Sequence, residues 1–251
     1  MNDRSGAGGC SAPGTPAVLY VLPGVEAIPE GEFSLLLADA SEKCRNRAQR
    51  FIRREDRCRC VAGEALSRFA VYRYSGFRSR RWFCETNEYG KPFYPECGVH
   101  FNLSHAGNWA VCGADRREIG VDIEKIHQVD PGIAGRFFTA AENDFIESAE
   151  NAFEKKNPFY RLWTLKESYV KCIGKGFSCS FDSFSCIPDL RGSGVRLLRH
   201  DKALPLKYFR EYHVDDAYAC SVCFSQGSIE PVIQPVSIGE IIGFLISCPA
   251  G

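Results

Sequence analysis

Two carboxylates stand one residue apart in Ile119-Gly-Val-Asp122-Ile-Glu124. The alternation is that of a strand, with Ile119, Val121 and Ile123 on one face and Asp122 and Glu124 on the other. Carboxylates placed side by side repel unless a cation sits between them. Oxygen-only ligation suits Mg2+ or Mn2+ better than zinc. The plainer alternative is a solvent-facing strand edge with two ordinary charges. A second source of carboxylate is Trp163-Thr-Leu-Lys166-Glu167-Ser-Tyr-Val-Lys171. Trp163, Glu167 and Lys171 fall on one helical face, while Leu162, Leu165, Tyr169, Val170 and Ile173 supply the buried side. Either Glu167 completes a metal site with Lys171 neutralising a phosphate beside it, or the two form a surface pair worth about 0.3–0.5 kcal/mol.

A third element is Phe101-Asn-Leu-Ser104-His105-Ala-Gly107-Asn-Trp109. Adjacent Ser and His do not make a nucleophile and its base, because those two groups must face each other. Ser104 and His105 can instead hydrogen-bond phosphate oxygens, helped by the small residues that follow; a turn with a half-buried His is the alternative. The fourth is a basic stripe. Lys43, Arg47, Arg50, Arg54 and Arg57 share one face if the segment is a single helix. Residues 43–81 carry 13 Lys and Arg against 3 acids, which suits a solvated face or a polyanion. Glu142 fits the third helical position of a capping box opened by Thr139, a structural role worth about 1 kcal/mol.

The elements that must position these groups are legible in outline. Ala17–Leu22 reads as a strand stopped by Pro23-Gly24, and residues 31–38 as a helix. Residues 41–69 read as helix for most of their length, with Cys58, Ala62, Ala65, Leu66 and Phe69 as the buried stripe. Strand signals follow at residues 83–87, 99–103, 109–114 and 118–123, with a turn at Tyr89-Gly90-Lys91-Pro92. Thr139 opens one helix. Asn157-Pro158 opens another that runs to Ile173 and stops at Gly174. Strand-like stretches then occupy 184–187, 195–198, 206–212 and 218–224. Asn108-Trp-Ala-Val-Cys-Gly is echoed by Asp216-Ala-Tyr-Ala-Cys-Ser, which suggests two similar α+β halves joined near residues 115–118.

Composition sets the class. The 251 residues are 45% hydrophobic and 25% charged, a globular mix with ample apolar surface to bury. Thirty-one basic residues balance 31 acidic ones. That sum hides a split: residues 1–117 carry a balance of +4 and residues 118–251 one of −4. Residues 1–17 read as a flexible tail lacking the apolar core of a signal peptide. The 13 Cys then suggest a reducing cytoplasm, with most thiols acting as small buried apolar groups. Cys58-x-Cys60 and Cys220-x-x-Cys223 lack a second pair at zinc-finger spacing. The apolar run 241–247 is too short to span a bilayer.

Gly90-Lys91-Pro92, Phe101-Asn-Leu-Ser104-His105, Gly120-Val-Asp122-Ile-Glu124, Phe137-Phe-Thr-Ala-Ala-Glu142 and Trp163-Thr-Leu-Lys166-Glu167-Ser-Tyr-Val-Lys171 form an ordered set. In order and spacing the chain resembles the 4′-phosphopantetheinyl transferases, specifically the longer Sfp-type members, from about Ser41 to Phe224. The resemblance implies transfer of the phosphopantetheine arm of coenzyme A to a serine of an acyl or peptidyl carrier protein, with release of adenosine 3′,5′-bisphosphate. It implies an α+β monomer, a pseudo-dimer of two similar halves with the site in the cleft between them. Those halves would be residues 18–117 and 118–226, followed by an extension at 227–251.

By motif position Asp122, Glu124 and Glu167 would hold Mg2+, with Mn2+ a second possibility. Lys91, Ser104, His105 and Lys171 would hold coenzyme A phosphates, and Arg59 and Arg47 would contact the nucleotide. Either Glu167 or a metal-bound water would deprotonate the serine, and Lys171 would stabilise the leaving α-phosphate. Carrier docking would use residues 173–184, with Lys175 facing an acidic partner. Cys60 departs from the family pattern, which has a small hydroxyl residue there, and Cys44 falls where a lysine is expected. The competing readings are a Mg2+-dependent phosphodiesterase or nuclease using the same carboxylates, and a non-catalytic nucleotide-binding module. The expected protein has no nucleic-acid or membrane partner.

Overall fold

The computed structural model describes residues 15–79, 82–128, 137–151, 157–188, 195–199 and 207–247. Most of the expected tail lies outside these residues. Its last residue does not behave as tail: Ala17 is fully buried, its N–H donates to the Ile229 carbonyl, and its own carbonyl accepts from Val232 N–H.

The first strand, β1 (Val18–Pro23), leads to α1 (Glu30–Asp39), α2 (Glu42–Arg50) and the long α3 (Arg54–Ser75). The helix expected over 41–69 is thus two helices. Phe51 and Arg53 take extended backbone angles between them. No Gly or Pro marks the break. Tertiary packing supplies it: α2 folds back on α3, with Ser41 Oγ and N–H bonded to Glu64 and Cys44 beside Cys60. The basic stripe is divided accordingly. Arg54 and Arg57 lie over the Phe33 ring, and Arg54 pairs with Glu30, while Arg47 lies over Phe51 on the other helix. Gly76 ends α3 at φ 73°, a left-handed conformation that glycine adopts without steric penalty.

Short strands β2 (Glu85–Thr86) and β3 (Pro92–Phe93) flank the expected turn. Then come β4 (His100–Ala106), β5 (Trp109–Asp115) and β6 (Ile119–Lys125). Helices α4 (Ala140–Asn151) and α5 (Pro158–Ile173) precede β7 (Phe184–Pro188), β8 (Val195–Arg199), β9 (Lys207–Glu211) and β10 (Tyr218–Ser225). Within the expected extension, β11 (Val232–Pro235) pairs in parallel with β1, and α6 (Ile238–Ser247) buries Ile241, Phe244 and Leu245 against α3.

The strand orders are β11-β1-β5-β4 and β6-β10-β9. β1 pairs with β5 and β5 with β4, and in the same way β6 pairs with β10 and β10 with β9, all antiparallel. The echoed segments are the starts of the two central strands, β5 and β10.

The layers follow from the alternation of side chains. Tyr20 and Leu22 of β1 pack with Leu66 and Phe69 of α3. Leu19 and Val21 turn the other way, onto Ile119, Val121, Ile123 and Val222 of the second sheet. Each such fully buried aliphatic side chain contributes roughly 1.5–3 kcal/mol. With one face of β6 occupied this way, Gly120, Asp122 and Glu124 must face α5.

Candidate active site

Helix α5 is placed by its ends and its buried lysine. The Asn157 side chain accepts from Phe159 N–H at 3.0 Å, Pro158 sits in the first turn, and Gly174 closes the helix at φ 68°. Lys166 is wholly buried. Its Nζ donates to both Glu142 oxygens and to the Phe184 carbonyl, each at 2.7 Å. Glu142 Oε2 also accepts from Thr139 N–H at 2.9 Å, as the capping box requires, and Oε1 accepts from Cys186 N–H at 2.8 Å. This network pins α4, α5 and β7 together.

Helix α5 then lies directly on β6. A methyl group placed on Gly120 would sit 2.1 Å from the Ser168 carbonyl oxygen and 2.3 Å from Cys172 N, so only glycine permits the approach. The approach carries Glu167 and Lys171 to the outer face of Asp122 and Glu124. Lys171 Nζ donates to Asp122 Oδ1 at 2.6 Å and to Ser104 Oγ at 3.2 Å. Ser104 Oγ donates to the same Oδ1 at 2.9 Å. Asp122 Oδ2 is buried and has no hydrogen-bond partner among the described residues.

The electrostatics match this crowding. Burial pushes the Asp122 carboxyl up, against the pull of Lys171 and Ser104. Burial, then Asp122, pushes Glu124 up to about 7, and burial with Asp122 raises Glu167. Burial alone would depress the Lys171 ammonium, but Asp122, Glu167 and Glu124 outweigh it and raise its pKa. Among the described residues no three acidic, His or Cys side chains close into a metal cage, and the Lys171 ammonium occupies the cation position on Asp122. The donor chemistry still fits a hard divalent cation: the donors are carboxylate oxygens, one ammonium is shared among three acids, and one buried oxygen is unmet.

Glu167 and Lys171 border a cleft of 660 Å³, with Trp163 beside them and Asn102 and Lys91 across from them, while Asp122 and Glu124 lie behind that lining. The edge strands β4 and β6 of the two sheets meet here. Side chains bridge them: Asn102 Oδ1 accepts from Val121 N–H at 2.8 Å and Ser104 Oγ from Ile123 N–H at 3.4 Å. Lys91 borders the cleft, but its Nζ donates to the Ile119 and Cys172 carbonyls at 3.1 and 3.0 Å, and burial lowers its pKa.

His105, next to Ser104 on β4, points to the opposite face. Its Cδ2 lies 3.9 Å from the Cβ position of Gly63 on α3. Desolvation depresses its imidazolium, and the nearby cations Arg59, Arg47 and Lys171 add to the shift, although the residue keeps solvent exposure. Arg59 is paired with Glu26 and Asp56 and donates to the Gly107 carbonyl at 3.1 Å. Arg47 lies on the exposed face of α2.

The structure therefore brings together Asp122, Glu124, Glu167, Lys171 and Ser104, with Lys91 at the border. His105, Arg59 and Arg47 form a second, basic group on the α2–α3 side. Sequence reasoning passed over Asn102, which shares the alternation of Ser104. It also passed over the Trp163 indole, whose N–H bonds Glu124, although Trp163 had been placed on the charged face.

Two family models cover this arrangement. One described as "4'-phosphopantetheinyl transferase superfamily" matches residues 118–223, and one described as "4'-phosphopantetheinyl transferase, N-terminal" matches residues 29–117. The 4'-phosphopantetheinyl transferase Sfp of Bacillus subtilis is 36% identical over 211 residues, covering 83% of this chain and 91% of that protein. The chain belongs to the 4′-phosphopantetheinyl transferase superfamily. A second phosphopantetheinyl transferase of the superfamily, gsp of Aneurinibacillus migulanus, is 32% identical over 76% of the chain and 78% of its own length. A solved holo-(acyl-carrier-protein) synthase from Bacillus anthracis, in complex with CoA (3',5'-ADP), shares 18% identity at a TM-score of 0.35 over 43% of the chain. Neither the nuclease reading nor the non-catalytic one finds support among these relatives. Among the described residues no helix is long and apolar enough to cross a membrane.

Proposed function

We propose that the cleft binds coenzyme A between two similar halves and transfers its 4′-phosphopantetheine to the serine of an acyl or peptidyl carrier protein. The observation that carries the reading is the unmet Asp122 Oδ2, set among Glu124, Glu167 and Lys171 on the cleft side of β6. That is a site for a divalent cation beside a phosphate.

The serine oxygen forms a bond to the β-phosphorus, and the bond from that phosphorus to the bridging oxygen breaks. Adenosine 3′,5′-bisphosphate leaves with the bridging oxygen. Glu167, its carboxyl raised by burial, takes the serine proton. Lys171 stabilises the negative charge that develops on the α-phosphate. Its raised pKa keeps it protonated at neutral pH. Asp122, Glu124 and Glu167 would hold Mg2+, which supplies charge neutralisation of the pyrophosphate. Ser104 holds Asp122 and Lys171 in register through Oγ.

The basic group of His105, Arg59 and Arg47 receives the nucleotide phosphates and so orients the pyrophosphate for in-line attack. Lys91 acts at the border of the cleft, where release of its two carbonyls would free it for a phosphate. The carrier docks beyond Lys171, where exposed Lys175 meets its acidic surface. The same reading makes the enzyme a cytoplasmic monomer with no nucleic-acid or membrane partner.

The test is intact mass. An apo carrier mixed with coenzyme A, Mg2+ and this protein gains one phosphopantetheine group. No gain across several carriers would overturn the reading. Glu167→Gln lowers the rate about 100-fold or more, the range for a positioned base. Full activity in that variant would remove Glu167 from the role.

A further inference from the structure

Eleven cysteines fall among the described residues, all free thiols, and nine are buried. Two of the eleven differ in placement. Cys44 of α2 and Cys60 of α3 face each other across the helix hairpin with their sulfurs 3.7 Å apart. Cys44 is buried, whereas Cys60 is partly open to solvent. A second thiol pair, Cys172 and Cys223, is sealed at 1% and 0% exposure, so no oxidant reaches it.

We propose that Cys44 and Cys60 are a redox-modification site that closes to a disulfide by exchange with small-molecule disulfides and thereby weakens coenzyme A binding. The effect on coenzyme A rests on the function proposed above. Cys60 is the entry point, because it is the open member. Its thiolate is favoured by the Cys44 hydrogen bond and by the charge of Arg47. The Cys60 thiolate attacks one sulfur of the small disulfide and expels the other half as a thiolate. Cys44 then gives up its proton and attacks the Cys60 sulfur, expelling the second half. The two protein thiols lose two electrons and two protons, and the small disulfide becomes two thiols.

The geometry links this chemistry to the basic group. Closing the pair from 3.7 Å to about 2.0 Å draws α2 and α3 together. Arg47 lies on α2 one turn beyond Cys44, and Arg59 precedes Cys60 on α3. The charge of Arg47 reaches both Cys60 and His105. A shift of the hairpin therefore moves the groups assigned to the nucleotide and leaves the α5–β6 contact alone.

The experiment treats the full chain with glutathione disulfide, maps its peptides by mass spectrometry, and measures KM for coenzyme A before and after. The expected result is one cross-linked peptide joining Cys44 to Cys60, a several-fold rise in KM for coenzyme A, and reversal of both by dithiothreitol. Cys44→Ser should stop at a glutathione adduct on Cys60, and Cys60→Ser should leave position 44 unmodified. A persistent adduct on wild-type Cys60 without the cross-link overturns the pair. A cross-link with unchanged KM overturns its coupling to coenzyme A. Should the reduced protein transfer nothing to any carrier, the proposed function fails, and the cross-link still decides the thiol chemistry.

Discussion

Helix α5 carries two lysine–carboxylate pairs of nearly equal length. Lys166 meets Glu142 at 2.7 Å, and five residues on Lys171 meets Asp122 at 2.6 Å. The first pair is complete: three acceptors surround the ammonium, backbone and hydroxyl donors satisfy the carboxylate, and neither side chain is exposed. The second leaves Asp122 Oδ2 unmet, and Lys171 retains 27% exposure at the cleft. A closed network can only hold elements together. An open one keeps an affinity for something else, and that difference separates scaffold from site within one helix.

The largest effect expected is on the closed pair. Lys166→Met strands a buried carboxylate and costs about 3–5 kcal/mol, read as a lower denaturation midpoint. Mg2+ should not restore it. Replacing both members, Lys166→Met with Glu142→Leu, should recover much of that loss; if it recovers none, the pair holds more than its own charges. Lys171→Met is the contrasting variant. Transfer should fall about 100-fold, or about 2.7 kcal/mol, and the stability of the variant should depend more strongly on Mg2+ than that of the parent, because the ion would also offset the charge the ammonium left. Equal Mg2+ responses in the two variants would erase the contrast.

Glu124 sharpens the comparison through pH. Its folded-state pKa, about 7, lies above the ordinary 4.5. The stabilisation it gives is therefore fully present below about 4.5 and is lost as pH rises through about 7. Between pH 6 and 8, ligand-free protein should lose on the order of 1 kcal/mol from this group, after discount for partial exposure. Glu124→Gln should lack that slope in a thermal-melt series, and added Mg2+ should flatten it in the parent. The smallest effect is at the cap. Thr139→Ala should cost about 1 kcal/mol of stability with little change in transfer, because Glu142 keeps Lys166 and Cys186 as partners.

What the sequence disclosed follows the same division. The alternation through Ile119, Val121 and Ile123 and the stop at Gly174 are local signals, and they oriented Asp122, Glu124, Glu167 and Lys171 correctly on their elements. The break at Phe51 was invisible because the fold-back of α2 on α3 imposes it and no local residue does. Strand β11 and helix α6 were passed over for a related reason. Val232–Pro235 has little strand character until β1 offers it a partner. The complete pair was half legible: the Thr139 cap pointed to Glu142, but nothing local told that Lys166 would point inward to meet it.

Gly120 has a consequence for how the enzyme tolerates change. The atoms that would collide with any side chain there are Ser168 O, Cys172 N and Cys172 Cα, all of them backbone. No substitution within α5 can remove a main-chain atom. A selection for second-site suppressors of Gly120→Ala should accordingly return the glycine itself, or changes that displace the whole helix and take Glu167 and Lys171 with it. The spacing between the two carboxylate-bearing elements is thus written in an atom the chain omits, and genetics has few ways to rewrite it.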